Sequence, residues 1–134
     1  MRKCKRFPLE WLFKDYPELR DSSVDIFIDE KESNEIIGVI RLNVGKSQLI
    51  FREILEGRYS NDLYGKEKVN HKTGDITGIK YKGKQNHRIY CKEFREGGKK
   101  VVMITTLHKK GQSNDKKIKS TLEAISKYEY EFPR

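Results

Sequence analysis

His87-Arg88-Ile89-Tyr90-Cys91-Lys92-Glu93-Phe94-Arg95-Glu96-Gly97-Gly98-Lys99-Lys100-Val101-Val102-Met103-Ile104-Thr105-Thr106-Leu107 is the stretch from which the rest of the chain is read. Residues 87–94 and 100–107 read as two strands, and the five residues between them hold a Gly-Gly pair suited to a hairpin turn. A third strand candidate, residues 76–81, comes just before. Three strands in succession make an antiparallel sheet. Downstream, Ile118, Leu122, Ile125 and Tyr128 recur at helical spacing behind Asn114, a residue that can cap a helix.

Upstream the pattern turns helical. Residues 8–19 place Leu9, Leu12, Phe13 and Tyr16 on one stripe, with Pro8 at the start and Pro17 breaking the last turn. Val24, Ile26 and Ile28 alternate as a half-buried strand would. Over residues 31–57, Ile36, Ile37, Ile40, Leu49, Ile50, Ile54 and Leu55 predict two helices joined near Gly45, the second closed by Gly57, although Val39, Ile40 and Leu42 would equally suit a strand in place of the first. Residues 58–75 are polar and read as a loop. The expected fold class is α+β: N-terminal helices, then a small antiparallel sheet, then a C-terminal helix packed on it.

The charge is divided as sharply as the pattern. Gly78 to Arg134 carries 15 Lys and Arg against 6 Asp and Glu, whereas the first 77 residues hold 14 of each sign, so the whole +9 lies in the C-terminal half. A basic surface on folded strands suits a polyanion. Charged residues make up 37 % of the chain, but 7 Tyr, 6 Phe and one Trp supply the anchors that a disordered chain of this charge lacks, and 134 residues suit one domain. Cys4 and Cys91 are far apart and make no zinc set with His71, His87 and His108, so neither metal nor cofactor is expected. There is no glycine-rich phosphate loop, and the acidic pairs share no cleft that a glycosidase would need. With no secretory signal and no apolar run of spanning length, the expected compartment is the cytoplasm, with no membrane partner.

Strand alternation puts Arg88, Tyr90, Lys92 and Phe94 on one face. Two cations interleaved with two rings suit RNA, where phosphates meet the charges and unpaired bases meet the rings. Phe94 is expected to belong to the core. Lys80, Lys82 and Lys84 precede this strand, and His108, Lys109, Lys110 and Gln112 follow its partner, so two cationic clusters flank Arg88.

The order Lys80-Tyr81-Lys82-Gly83, Arg88-Ile89-Tyr90, Val101 to Lys110 and Lys116-Lys117-Ile118 resembles the RelE/HigB group of bacterial toxins, nearest to its phage-derived HigB-like branch, over roughly residues 76–125. The resemblance implies a RelE/ParE-like fold over the single domain 1–134, with residues 1–75 as an extended N-terminal portion. It implies a toxin of a toxin–antitoxin system: an mRNA interferase, often acting on messenger bound to the ribosome and silenced by a cognate acidic antitoxin. Arg88 matches the family's strand arginine, Lys109 and Lys110 its Lys-Lys pair, and Gln112 the glutamine that follows. Gly111, Ser113, Asn114 and Asp115 depart from the family's Thr, Lys, Thr and Pro, and His108 stands where an apolar residue is usual.

Elementary chemistry permits such an activity without metal. The RNA 2′-hydroxyl attacks the adjacent phosphate; the protein positions the strand, stabilises the added charge and moves two protons. Arg88, Lys109 and Lys110 would stabilise the charge, His108 or His87 would act as base, and Tyr90 or another His would protonate the leaving oxygen. A lysine with a pKa lowered by its neighbours is an alternative base. Lys80, Lys82, Lys84, Lys92 and Gln112 would bind RNA. Two other readings use the same surface: a non-catalytic nucleic-acid- or ribosome-binding module, and a ParE-like inhibitor of a protein target.

Overall fold

The computed structural model describes residues 1–67, 75–83, 86–109 and 115–133. In chain order the elements are β1 (Arg2–Arg6), α1 (Glu10–Phe13), a 3-10 turn (Pro17–Asp21), β2 (Val24–Asp29), α2 (Ser33–Leu42), α3 (Val44–Leu55), β3 (Tyr64–Lys66), β4 (Ile76–Tyr81), β5 (His87–Glu96), β6 (Lys99–His108), α4 (Asp115–Ser126) and β7 (Tyr130–Glu131). Among these residues seven strands form one sheet in the order β3-β4-β5-β6-β2-β1-β7. The pairs β2–β6 and β1–β7 are parallel and the remainder antiparallel.

The α+β class holds, but the expected arrangement does not. A seven-stranded mixed sheet replaces the small antiparallel sheet behind N-terminal helices, so the RelE/ParE-like layout drawn from the sequence is corrected. The difference begins at the N-terminus. Arg2-Lys3-Cys4-Lys5-Arg6 has one apolar residue and no hydrophobic alternation, yet it forms β1, because its register to β2 turns Cys4 inward beside Phe27 and leaves Lys3, Lys5 and Arg6 exposed. β2 then lies between β1 and β6, with Val24, Ile26, Phe27, Ile28 and Asp29 all buried, as a strand covered on both faces must be. The helix expected over residues 8–19 is cut in two, since Pro17 holds Tyr16 in an extended conformation (φ −133°, ψ 69°). α2 and α3 meet at Asn43, two residues before Gly45.

α2 and α3 pack Ile36, Ile40, Ile50, Phe51 and Ile54 against one face of the sheet, where Ile26, Ile28, Ile79, Ile89, Val102 and Ile104 point. On the opposite face Leu122 and Ile125 of α4 bury Ile76 and Tyr90, while Phe132 and Phe94 cover Phe27 and Met103. Phe94 is thus packed as expected. The β5–β6 turn places Gly97 at φ +59° and Gly98 at φ +81°, the paired left-handed conformations of a tight hairpin that side chains disfavour.

The three strands at one edge of the sheet, β2, β1 and β7, are tied through one buried carboxylate. Asp29 is 1 % exposed. It accepts hydrogen bonds from Arg2 Nε at 2.6 Å, the Tyr130 hydroxyl at 2.8 Å and the Lys31 amide at 2.8 Å. The Arg2 guanidinium also lies 4.0 Å from the centre of the Tyr128 ring. Among the described residues no helix is long and apolar enough to cross a membrane.

Candidate nucleic-acid interface

The register of the three central hairpin strands builds the site. Lys80 on β4 lies opposite Arg88 on β5, and Arg88 lies opposite His108 on β6. The next row on the same face is Gly78, Tyr90 and Thr106. Directly opposed side chains lie ~5 Å apart and successive rows on one face ~7 Å apart. A cleft of about 240 Å³ opens over these rows, lined by Lys80, Lys82, Arg88, Tyr90, His108 and, from α4, Ile118. Asn86, at φ +45°, and His87 close its end.

Two of the lining groups, His108 and Tyr90, are shifted by their surroundings. Burial, then the charges of Arg88 and Lys117, lower the pKa of His108 from the ordinary 6.5, so its imidazole is neutral at pH 7. Burial and the nearby Glu67 carboxylate raise the pKa of Tyr90, while Arg88 acts against them; the phenol stays protonated. The Tyr90 ring is itself core, 1 % exposed under α4 and 6.1 Å centre to centre from the His108 ring. His87 Nδ1 and Thr106 Oγ1 are buried with no hydrogen-bond partner among the described residues.

Glu67 belongs to this site, although the sequence did not single it out. It follows β3, and its Oε1 lies 3.2 Å from Arg88 Nη1, with the carboxylate side chain 15 % exposed and the arginine 40 %. A methyl group on Gly78 would collide with that carboxylate and only touch Arg88 Cδ. The missing side chain is what lets Glu67 reach across β4 to the arginine. A glycine inside a strand pattern was the available signal, since it marks close approach by another group.

The other expected residues divide. Lys80 and Lys82 reach the cleft mouth and are steadied by the loop after α3: Lys80 Nζ donates to the Asn61 carbonyl at 2.8 Å and Lys82 Nζ pairs with Asp62 at 2.7 Å. Lys109 continues the alternation of β6 onto the opposite face, where Nζ meets Glu35 of α2 at 2.6 Å. Lys92 donates to the Ser126 and Tyr128 carbonyls at 3.1 and 2.7 Å, closing the C-terminal end of α4, and burial lowers its pKa. Lys84, Lys110 and Gln112, and Asn114, which the sequence suggested as a helix cap, lie outside the described residues. Among the described residues no group of three His, Cys, Asp or Glu could hold a metal ion.

The assembled arrangement offers a fixed cation for a phosphate, a neutral imidazole to take a proton, a phenol to give one, and a carboxylate that orients the cation. The chain matches no protein-family profile, no curated protein and no solved structure.

Proposed function

We propose that the protein is an endoribonuclease that cuts unpaired RNA through the RNA's own 2′-hydroxyl. The observation that carries this is the row Lys80-Arg88-His108 beside Tyr90 in one cleft. In this scheme the neutral His108 takes the 2′-hydroxyl proton as the 2′-oxygen bonds to phosphorus. Arg88, oriented by Glu67, stabilises the extra negative charge on the phosphoryl oxygens. The bond from phosphorus to the 5′-oxygen breaks, and the Tyr90 hydroxyl gives its proton to that oxygen, since an alkoxide is a far stronger base than a phenolate. The products are a 2′,3′-cyclic phosphate and a 5′-hydroxyl. Lys80 and Lys82 hold flanking phosphates. The resemblance of residues 76–125 to RelE/HigB toxins supports messenger as the substrate, a toxin's role and an acidic antitoxin as the restraining partner.

The test is cleavage of a defined RNA in EDTA, free and during cell-free translation, with the ends of the fragments identified chemically. Cyclic phosphate ends support the mechanism; bound but intact RNA would favour a binding module, and intact RNA with inhibited supercoiling a ParE-like target. Because a base works only when neutral, kcat/KM should rise with pH through an apparent pKa below the 6.5 of an ordinary histidine and be level at neutrality. His108→Gln should remove that break. A break that survives the substitution would assign the base elsewhere.

A further inference from the structure

The pairing of β6 with β5 changes register part of the way along. On the turn side, Glu96 lies opposite Lys99 and the ladder runs evenly to Cys91 opposite Ile104; beyond that step Tyr90 lies opposite Thr106, Ile89 opposite Leu107 and Arg88 opposite His108. Thr105 is passed over, so β6 carries one extra residue at this step, a β-bulge. Regular pairing continued from Cys91 and Ile104 would set Thr105 opposite Tyr90, Leu107 opposite Arg88 and His108 opposite His87. Because side chains alternate between faces, that slip would turn Leu107 into the cleft and His108 to the helical side. The bulge exchanges an apolar side chain for the imidazole.

Side chains hold the bulged end of β6 from both flanks. Toward β5, the Thr105 hydroxyl, on a residue 0 % exposed, donates to the Tyr90 carbonyl at 3.0 Å, at the step where the register changes. On the other flank the pairing with β2 ends at Ile28 opposite Ile104, and Glu32, just before α2, stands in for a strand: its Oε1 accepts the Leu107 amide at 3.3 Å. Leu107 packs against the helical-side core in this register. The arrangement has a cost, since Thr106 Oγ1 is buried with no hydrogen-bond partner among the described residues. A strand shaped for pairing alone gains nothing from an extra residue and a stranded hydroxyl, whereas a bulge that re-aims a side chain is a recurrent device beside active sites. We propose that Thr105 is a positioning residue, whose hydroxyl pins the bulge that brings His108, and not Leu107, opposite Arg88. Its effect on rate rests on the ribonuclease reading; its effect on geometry does not.

Thr105→Val keeps the branched shape and the strand preference and removes only the hydroxyl, which Thr105→Ser retains. Two readouts on the full chain separate geometry from chemistry. The His108 and Tyr90 rings, 6.1 Å apart centre to centre, should show a nuclear Overhauser contact in the wild type and in Thr105→Ser. Thr105→Val should lose it, because the slip carries His108 to the other face of the sheet. In RNA cleavage Thr105→Val should lower kcat by about 10²-fold, the low end of what a general base contributes, with Thr105→Ser recovering most of the rate. KM should stay within about threefold, because Lys80 and Lys82 still hold phosphates. Deletion of Thr105 is the second variant and decides the matter if Thr105→Val does not fold: regular pairing then sets His108 opposite Arg88 without a bulge, so the ring contact should persist. A contact that survives in Thr105→Val, a wild-type rate retained after the contact is lost, or a contact absent from the folded deletion would overturn the proposal. A contact that follows the hydroxyl while the wild type leaves RNA intact would uphold the positioning and overturn the ribonuclease reading instead.

Discussion

Arg88→Ala should lower the rate of RNA cleavage by about 10²- to 10³-fold, the usual loss when one donor to a developing oxyanion is removed, while weakening RNA binding only a few-fold. The separation arises because Lys80 and Lys82 remain to hold phosphates, whereas Arg88 is the cation paired opposite the neutral His108 and one row from the protonated Tyr90. Arg88→Lys should recover little, since a point charge cannot keep Glu67 and a phosphate on two edges of one planar group. Gly78→Ala is the companion. Its methyl displaces the end of a flexible Glu67 side chain and not backbone, so the fold should persist while Arg88 loses its orienting partner. Single-turnover rates beside filter-binding affinities decide the matter. If rate and affinity fell together, in proportion to charge removed and whichever cation was chosen, the cleft would be a binding surface without catalysis.

Asp29→Ala should be the most destabilising single substitution outside the apolar core, by about 3 kcal/mol. It strands the Tyr130 hydroxyl, which lies in the interior, and removes the carboxylate that fixes Arg2, so both strands at that end of the sheet lose their anchor together. The figure is kept at the low end because the Arg2 side chain is 23 % exposed and water can partly replace its partner. In thermal unfolding the loss corresponds to a drop on the order of 10 °C. Tyr130→Phe, which removes one hydrogen bond and leaves the ion pair, should cost about 1 kcal/mol. Equal melting of Asp29→Ala and Tyr130→Phe would show that the carboxylate contributes nothing beyond one hydrogen bond.

The candidate site was legible where the strand period alone determines it. Arg88 and Tyr90 share a face by alternation, but the register set at the Gly97-Gly98 turn would by itself put Leu107 opposite Arg88; an irregularity between Tyr90 and Cys91, where Thr105 is passed over, shifts the pairing by one and brings His108 there, and no pattern in the sequence announces it. The same alternation carries Lys109 to the other side, so reading His108 and Lys109 as one cluster grouped neighbours in sequence that the pleat separates. Glu67 escaped because β3 is three residues inside a polar stretch and acquires its identity only by pairing with β4. The fold was legible in its consecutive hairpins and its helical stripes. It was not legible in β1, whose residues give no pattern, nor in the parallel docking of β2 on β6, which no local signal encodes.

That docking also has a consequence for the order in which the structure can assemble. The β5–β6 hairpin closes through a turn of two glycines, a local event of microseconds, whereas β2 must find β6 across the intervening helices and three other strands, with Ile28 meeting Ile104. The hairpin is therefore expected to be formed at the folding transition state and the β2–β6 seam to close after it. Stopped-flow refolding would register this as slower folding with little change in unfolding for Gly98→Ala, and the reverse for Ile28→Val.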